Sequence, residues 1–418
     1  MNYEKIRIPL EIALGQELNE LIQGDIVEQV IKEAQIEKIE NNWKYILEGH
    51  SFKLGPQMAP DLYSLCRNVQ EELQFDEPID FYITNSAELN AFSLARSHDD
   101  TNHIINLNSA LVEKFDNDEL RFVIGHEIGH LISGNARIAM LVQFVYPPEL
   151  NMPLMLRHKL NLWHKVSELT ADRFGYLVCK NAEKTLSSFF KLSSGLSSKR
   201  VMFNPVQYSQ ENEKTLAYFK DNARTDILSH PINPIRVKAI ELFAKSQTYA
   251  EKGLLGGDDE ILDSEMDELI GILIKTGNSN IDYHRKIFIA TAGIILAQVD
   301  NVINEDEYKE IIMALSEFSM FPKEFMFDIA QKDVVRFCNQ AITEILEINP
   351  SEKYALIDFI IRIALSDHDI FKGELDLIYH FGENLRMSKK EVAQIIATSI
   401  QKHYVPNIFK PLENTSER

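Results

Sequence analysis

Two histidines and a glutamate in the segment 126–130 have the types and the spacing of a metal-dependent hydrolytic site. The segment reads His-Glu-Ile-Gly-His and lies inside an apolar run, 120–131, that predicts a helix. Residues four apart share one helix face, so the imidazoles of His126 and His130 can hold one metal ion. Zinc is the expected ion, because it accepts neutral imidazole and carboxylate ligands and needs no redox chemistry. Glu127 can then face a water molecule that the metal activates.

A catalytic zinc site needs a third protein ligand, and the best candidate lies downstream, in the segment 167–176. Its apolar pattern predicts a helix with one buried face, and Glu168 and Asp172 share a face of that helix. We expect Glu168 to be the third ligand and Asp172 to accept the outer N–H of a ligand histidine, which would fix the tautomer of the ring. The alternative is a solvated acidic face. It would leave the histidines of the apolar helix buried without a partner, which is costly.

Four segments resemble, in order and spacing, the zinc metallopeptidase family M48, the gluzincins that include the HtpX-type and CAAX prenyl proteases. They cover about residues 60–245, and the resemblance implies a zincin-type metallopeptidase fold. The segments are Asn90-Ala91-Phe92 with 103–107, 117–120 with 126–130, 168–172, and 229–231 with Arg236.

The resemblance implies one Zn²⁺ ion per chain, bound by three side chains of the two helical motifs. His126, His130 and Glu168 would be the ligands. Glu127 would be the general base that takes a proton from the attacking water and passes it to the leaving amine. Asp172 would stand behind the ligands as a hydrogen-bond acceptor.

Two residues of the late motif complete the implied site. His230 would lie near the zinc and stabilise the tetrahedral oxyanion, and Arg236 would orient this region through a carboxylate. The alternative for His230 is a residue at the start of a helix, since Pro231 pre-sets the φ of a first turn. A peptide substrate would bind as an added strand along 90–94 through main-chain hydrogen bonds. This mode gives little specificity for the side chains of the substrate.

The chain differs from the best-known members of the family because it offers no candidate transmembrane segment. The longest apolar stretch, 138–145, ends before Pro147 and Pro148, well short of the roughly twenty residues that a span needs. We therefore expect a soluble peptide or protein substrate rather than a prenylated protein. We expect residues 147–162 to form an excursion between the two metal helices. It would pack against the protein or, alternatively, form a lid or a wall of the substrate site.

Composition places the chain among ordinary globular proteins. It has 418 residues, of which 45% are hydrophobic and 25% charged, enough for two or three domains. The net charge of −20 argues against nucleic acid as a partner. Its three cysteines, Cys66, Cys179 and Cys338, are far apart and fit reduced thiols. The N-terminus lacks a signal-peptide pattern, which favours a cytoplasmic location.

The apolar patterns predict an α+β fold that is mostly helical. We expect a metallopeptidase domain with a small sheet over 1–250, in which 1–60 form a helical N-terminal extension. The Gly- and Asp-rich segment 251–260 is the clearest linker. An all-α helical bundle is expected over 261–405, where strand signals disappear.

The C-terminal part repeats its own pattern, which predicts a bundle built from two related halves. The segments 296–311 and 363–378 share their pattern residues, except that Leu296 corresponds to Ile363. This pattern resembles the TerB-like domains, which are named for tellurite resistance and carry acidic pairs. The acidic residues at corresponding positions are Asp300, Glu307, Asp367 and Glu374.

These acidic pairs are a candidate site for a hard cation such as Ca²⁺. They are not EF-hands, because both loops lack the glycine and the final glutamate of that motif. The alternative is structural: Asn304 with Glu307 has the pattern of a capping box, and Asp367 can cap a turn. This half has no nucleophile–base set and no phosphate loop, so we expect an interaction or sensing module with a protein partner.

The residues favour an active zinc-dependent endopeptidase with a C-terminal regulatory or interaction domain. The competing interpretation is a latent or inactive scaffold that recruits partners or cations through its acidic C-terminal domain. Glu127 favours the enzyme, because an inactive relative typically loses the base or a ligand. A purely metal-buffering protein would rest on the C-terminal resemblance alone.

Overall fold

The computed structural model divides the chain into two compact units, Met1–Ile274 and Lys275–Arg418. The residues that it describes are 1–34, 41–96, 101–147, 152–197, 201–222, 230–251, 259–274, 280–298, 305–366 and 371–404. The prediction of a mostly helical α+β fold is confirmed.

The first unit contains a four-stranded sheet with the strand order β1-β2-β4-β3. Its strands are β1 (Phe52–Lys53), β2 (Ile79–Thr84), β3 (Ala91–Leu94) and β4 (His103–Asn108). β2 and β4 are parallel, and the other two pairs are antiparallel. β4 lies between β2 and β3 and is buried along its whole length, including its polar residues His103, Asn106 and Asn108. β3 forms one edge of the described sheet and is half-buried.

Helices surround this sheet and form most of the first unit. They are α1 (Tyr3–Ile6), α2 (Pro9–Leu21), α3 (Gly24–Glu33), α4 (Asn41–His50), α5 (Pro60–Glu72), α6 (Ser109–Lys114), α7 (Asn117–Ser133), α8 (Asn135–Val145), α9 (Leu154–Cys179), α10 (Ala182–Ser194), α11 (Pro205–Asn222), α12 (Asn233–Lys245), α13 (Gln247–Ala250) and α14 (Glu260–Leu273). Because α14 packs against α9 and α12, the compact unit extends past the boundary that we expected at 250.

Two long helices, α7 and α9, form the centre of this unit. α7 begins with a capping box, in which Asp116 accepts backbone N–H groups and Glu119 accepts the N–H of Asp116. It ends at Gly134, whose φ of +67° suits the left-handed turn that terminates a helix. α9 is 26 residues long, and its second half is buried almost all round, as expected for a helix in the interior of a protein.

Glycines let α7 and α9 approach closely. A Cβ atom on Gly125 would lie 2.5 Å from Cγ2 of Val178 and 3.0 Å from Cα of Gly175. A Cβ atom on Gly175 would lie 2.6 Å from the carbonyl oxygen of Phe122. Only hydrogen fits in these places, so the close crossing brings the acidic face of α9 against the histidine face of α7.

The apolar stretch at 138–145 belongs to α8, and residues 154–162, which we expected to be an excursion, are the first turns of α9. In the part of the chain that the structure describes, no helix combines the length and the apolar composition that crossing a bilayer would require.

The second unit is helical throughout its described residues. Its helices are α15 (Asn280–Ala297), α16 (Glu305–Ser316), α17 (Pro322–Ala330), α18 (Val334–Ile348), α19 (Lys353–Ala364), α20 (Lys372–Asn384) and α21 (Lys389–His403), with a 3₁₀ turn at Pro350–Glu352. The buried second half of α15 is the core of the unit and packs against α16, α17, α18 and α19.

Two of the four acidic residues of the repeat, Glu307 and Glu374, lie among the described residues of this unit. Glu307 and Glu374 are each the third residue of a helix, α16 and α20, and both are buried. The Glu374 carboxylate accepts the backbone N–H of Phe371 at 3.0 Å, so it caps its own helix in the way that we considered for Glu307 at the corresponding position. Asp300, Asn304 and Asp367 lie outside the described residues.

Candidate metal centre

Three side chains from α7 and α9 converge on one point. Nε2 of His126 lies 3.2 Å from Nε2 of His130 and 3.6 Å from Oε2 of Glu168. Nε2 of His130 lies 3.3 Å from Oε1 of Glu168. Two ligand atoms at about 2.0–2.1 Å from a tetrahedral zinc ion are about 3.3 Å apart. The donor types and their separations therefore fit Zn²⁺.

Among the described residues, this is the one group of histidine, cysteine and carboxylate side chains close enough to hold a metal ion. The second unit contributes no such group within its described parts. The calcium expectation for Asp300, Glu307, Asp367 and Glu374 therefore has no support.

A buried carboxylate and a guanidinium hold His126 from behind. Oδ1 of Asp172 lies 2.9 Å from Nδ1 of His126, and Asp172 is completely buried. Arg236 donates to both carboxylate oxygens, through Nη2 at 2.6 Å and Nε at 2.8 Å. Burial raises the pKa of Asp172, but the charge and hydrogen bonds of Arg236, together with His126, outweigh burial and leave that pKa below its ordinary value. The ionised carboxylate favours a proton on Nδ1, so the Nε2 lone pair can face a metal.

Arg236 connects the late sequence motif to the metal helices. It lies in α12, whereas Asp172 lies in α9, so their ion pair joins the two elements. The guanidinium also stands over the ring of Phe189, 4.8 Å from its centroid. The late motif thus contributes to the site through Arg236, which lines the cleft and supports His126 through Asp172.

Glu168 is ionised beside the two imidazoles. Burial raises the pKa of this carboxyl, but the hydrogen bond and charge of His130, together with the charges of His126 and Arg236, outweigh burial and hold the pKa well below its usual range. A carboxylate in this position supplies a negative ligand to a divalent cation.

The triad lies on a cleft of about 450 Å³, and most of the other predicted site residues line that cleft. Glu127 lines it and is otherwise buried, whereas His230 lines it from an exposed position. The edge of the sheet also contributes, through Asn90, Ala91, Phe92 and Ser93. The structure thus brings the proposed base, ligands and substrate strand into one cavity.

Apolar side chains line the same cleft beside the polar ones. They come from α6, α7, α8 and α10, and they are Leu111, Phe122, Val123, Leu131, Ala136, Ala139 and Leu192. This lining can accommodate apolar groups of a bound molecule and exclude water from the polar centre.

Two polar residues of the cleft were missed by sequence reasoning. His164 lines the cleft one helical turn before Glu168, and burial lowers its pKa, which favours the neutral ring. The spacing of four residues could have revealed it. Asn135 is 7% exposed, and its Nδ2 lies 3.3 Å from Nδ1 of His130. No helical spacing rule predicts this contact, because a turn at Gly134 separates the two residues.

Residues 56–150 match the model of Peptidase family M48. The matched segment contains β2, β3 and β4 together with the His126–Glu127–His130 motif. It begins after β1 and ends before Glu168. The first unit is therefore similar, over this segment, to metallopeptidases of that family.

Individual relatives agree with this class. The chain is 28% identical over 215 residues to the plastoglobule-localized metallopeptidase 48, chloroplastic, of Arabidopsis thaliana, which covers 48% of this chain and 62% of that protein. It is 34% identical over 110 residues to the protease HtpX homolog of Helicobacter acinonychis, covering 25% of this chain and 35% of that protein. The homolog of that name in Helicobacter pylori shows the same identity and coverage. The chain thus spans less than two thirds of each of these relatives. No solved structure was found to match it.

Proposed function

We propose that this protein is a zinc-dependent endopeptidase that hydrolyses peptide bonds with the help of Glu127, and that its C-terminal unit regulates it or binds a partner. The observation that carries the proposal is the convergence of His126, His130 and Glu168 at the separations of a tetrahedral zinc site, with Glu127 in the same cleft. The similarity to M48 peptidases supports the same reaction class.

Each side chain has a defined task in this proposal. When bound, zinc would supply Lewis acidity toward the attacking water and the scissile carbonyl. Glu127 accepts the proton of the water and returns it to the leaving amine. His230, at the exposed side of the cleft, donates a hydrogen bond to the oxyanion that develops on the carbonyl. Asp172 and Arg236 keep His126 in the tautomer that leaves Nε2 free.

The substrate is a peptide or an unfolded segment of a protein that binds in an extended form. β3 forms one edge of the described sheet, and its residues line the cleft beside the metal ligands. An extended chain can pair with such an edge through main-chain hydrogen bonds. This pairing would carry the scissile bond across the face of the triad.

The place of action and the role of the second unit belong to the proposal as well. We retain a cytoplasmic location, although the plant relative is named as chloroplastic. The C-terminal unit has no metal-binding group among its described residues, and its proposed role is regulation or interaction with a protein partner.

The test is cleavage of casein by the full chain, with and without a chelator. The expected result is cleavage that the chelator abolishes and that added zinc restores. Glu127→Gln should abolish cleavage, because an amide cannot accept the proton, while zinc content stays at one ion per chain. We expect a loss of at least about a hundredfold, the usual contribution of a general base.

The control for this experiment is Glu113→Gln, which changes a carboxylate on α6 that does not line the cleft. It should leave cleavage unchanged. Stoichiometric zinc without cleavage in the wild-type chain would favour the latent or scaffold interpretation. Cleavage that survives Glu127→Gln would contradict the proposed base.

A further inference from the structure

Asn135 makes an unusual contact with one of the proposed metal ligands. Its amide is buried, and Nδ2 lies 3.3 Å from Nδ1 of His130. On its other side, Oδ1 is buried without a hydrogen-bond partner among the described residues. The contact with His130 is therefore the only hydrogen bond of this amide in the described part of the chain, and the amide is otherwise free to turn.

The tautomer of His130 decides which amide atom faces the ring. An NH₂ group that donates to Nδ1 would require the ring proton to be on Nε2. That proton would then point at Nε2 of His126 and at Glu168, where the metal must bind. A ring that binds metal through Nε2 carries its proton on Nδ1 and needs an acceptor there. The amide oxygen is such an acceptor, and a half-turn of the amide places it against Nδ1.

We propose that Asn135 is a positioning residue of the metal centre, whose side-chain oxygen accepts the Nδ1–H of His130 and holds Nε2 of that ring toward the zinc. The half-turn breaks no other hydrogen bond of the amide, since Oδ1 has none. The inference rests on the proposed zinc site and deepens it, because it assigns the outer partner of the second histidine.

The local backbone explains how Asn135 reaches this place. Gly134 ends α7 with a φ of +67° and directly precedes the first residue of α8, so the direction of the chain changes at this point. Asn135 then lies against His130 in the last turn of α7. The two ligand histidines then have different supports, an ionised carboxylate for His126 and a neutral amide for His130.

The test is zinc affinity of the full chain at constant pH, measured by competition with a chelating indicator. Asn135→Leu keeps a similar volume but offers no acceptor, and it should weaken zinc binding by about 10–100-fold, the usual effect of removing such a partner. Asn135→Asp offers only acceptor atoms and should bind zinc at least as tightly as the wild-type chain.

Ser133→Ala is the matched control. Ser133 lies on the same turn, and its buried Oγ has no hydrogen-bond partner among the described residues, so its removal should leave zinc affinity unchanged. Thermal unfolding of the metal-free variants checks that each is folded.

Two results would overturn the inference: wild-type zinc affinity in folded Asn135→Leu, or an Asn135→Asp variant that binds zinc as weakly as Asn135→Leu. These readouts do not depend on cleavage. A wild-type chain that binds zinc but cleaves nothing would favour the latent or scaffold interpretation and leave the role of Asn135 intact.

Discussion

Asp172 shows how one residue of this site depends on another. Its carboxylate is completely buried, and a buried charge without a partner is expensive. The two hydrogen bonds from Arg236 offset that cost and keep the carboxylate ionised. The carboxylate in turn sets the tautomer of His126, so Arg236 affects metal binding without contacting the metal.

Replacing Arg236 by an apolar residue should therefore destabilise the protein more than removing a surface ion pair does. We expect Arg236→Leu to lower the free energy of unfolding of the metal-free protein by about 3–5 kcal/mol at pH 7, because Asp172 is left buried and uncompensated. Urea denaturation followed by fluorescence would measure this. Zinc affinity should fall as well, since His126 loses its ionised acceptor.

The pH dependence of this loss has a definite sign. A carboxylate whose folded pKa is lowered contributes stability above its ordinary pKa, and this contribution is lost as the pH falls through the folded value. The difference between wild type and Arg236→Leu should thus shrink as the pH falls below about 4. The control is Arg96→Leu, which removes an exposed pair with Glu77 and should cost less than about 1 kcal/mol. An equal loss in both variants would contradict this account.

The crossing of α7 and α9 determines whether the ligands can meet at all. His126 and His130 come from one helix and Glu168 from the other, so a small separation of the helices would open the triad. Gly125 and Gly175 face each other at the crossing, and neither has room for a side chain. This contact, and not the ligands, sets the distance between the two elements.

A single methyl group should therefore disturb both the fold and the site. We expect Gly125→Ala to destabilise the protein by about 1–3 kcal/mol, the usual cost of overpacking a core, and to weaken zinc binding by displacing Glu168. Denaturation curves and zinc titration of the same preparation would measure the two effects together.

Gly271→Ala is the matched control for this change. Gly271 also lies in a helix, α14, but nothing is within 4 Å of the Cβ that it would gain. Alanine is the better helix former, so this variant should be more stable by up to about 1 kcal/mol and should bind zinc normally. A Gly125→Ala variant that behaves like Gly271→Ala would refute the close-crossing argument.

The two compact units each have their own buried core, and the metal centre belongs to the first of them. Both tryptophans of the chain, Trp43 and Trp163, are also in the first unit. Fluorescence therefore reports on the unit with the metal centre, whereas circular dichroism reports on the helices of both.

Zinc should stabilise one unit selectively. In urea, we expect zinc to move the tryptophan fluorescence transition to a higher denaturant concentration. At a free zinc concentration of a hundred times Kd, the free energy of unfolding should rise by about 2.7 kcal/mol. The circular dichroism curve should contain this transition and a second one that zinc does not move. A single transition that moves equally in both signals would show that the units unfold together.

Much of the site and of the fold could be read from local spacing. The shared helix face of His126 and His130 and the position of Glu127 both follow from the geometry of one helix. The α+β class follows for the same reason, since periodicity distinguishes the two kinds of element. The short strand β1 was not predicted, because its two residues carry too little pattern and depend on pairing with β2.

The sequence by itself thus determined the helix that presents the histidines, the candidate base and the acidic helix that follows. Only the tertiary structure decided that Glu168 reaches the histidines, that Arg236 holds Asp172, and that Asn135 lies against His130. The physical reason is that helical spacing is a property of the local backbone. Contacts between elements depend instead on close packing at positions such as Gly125 and Gly175, which lie far apart in the chain.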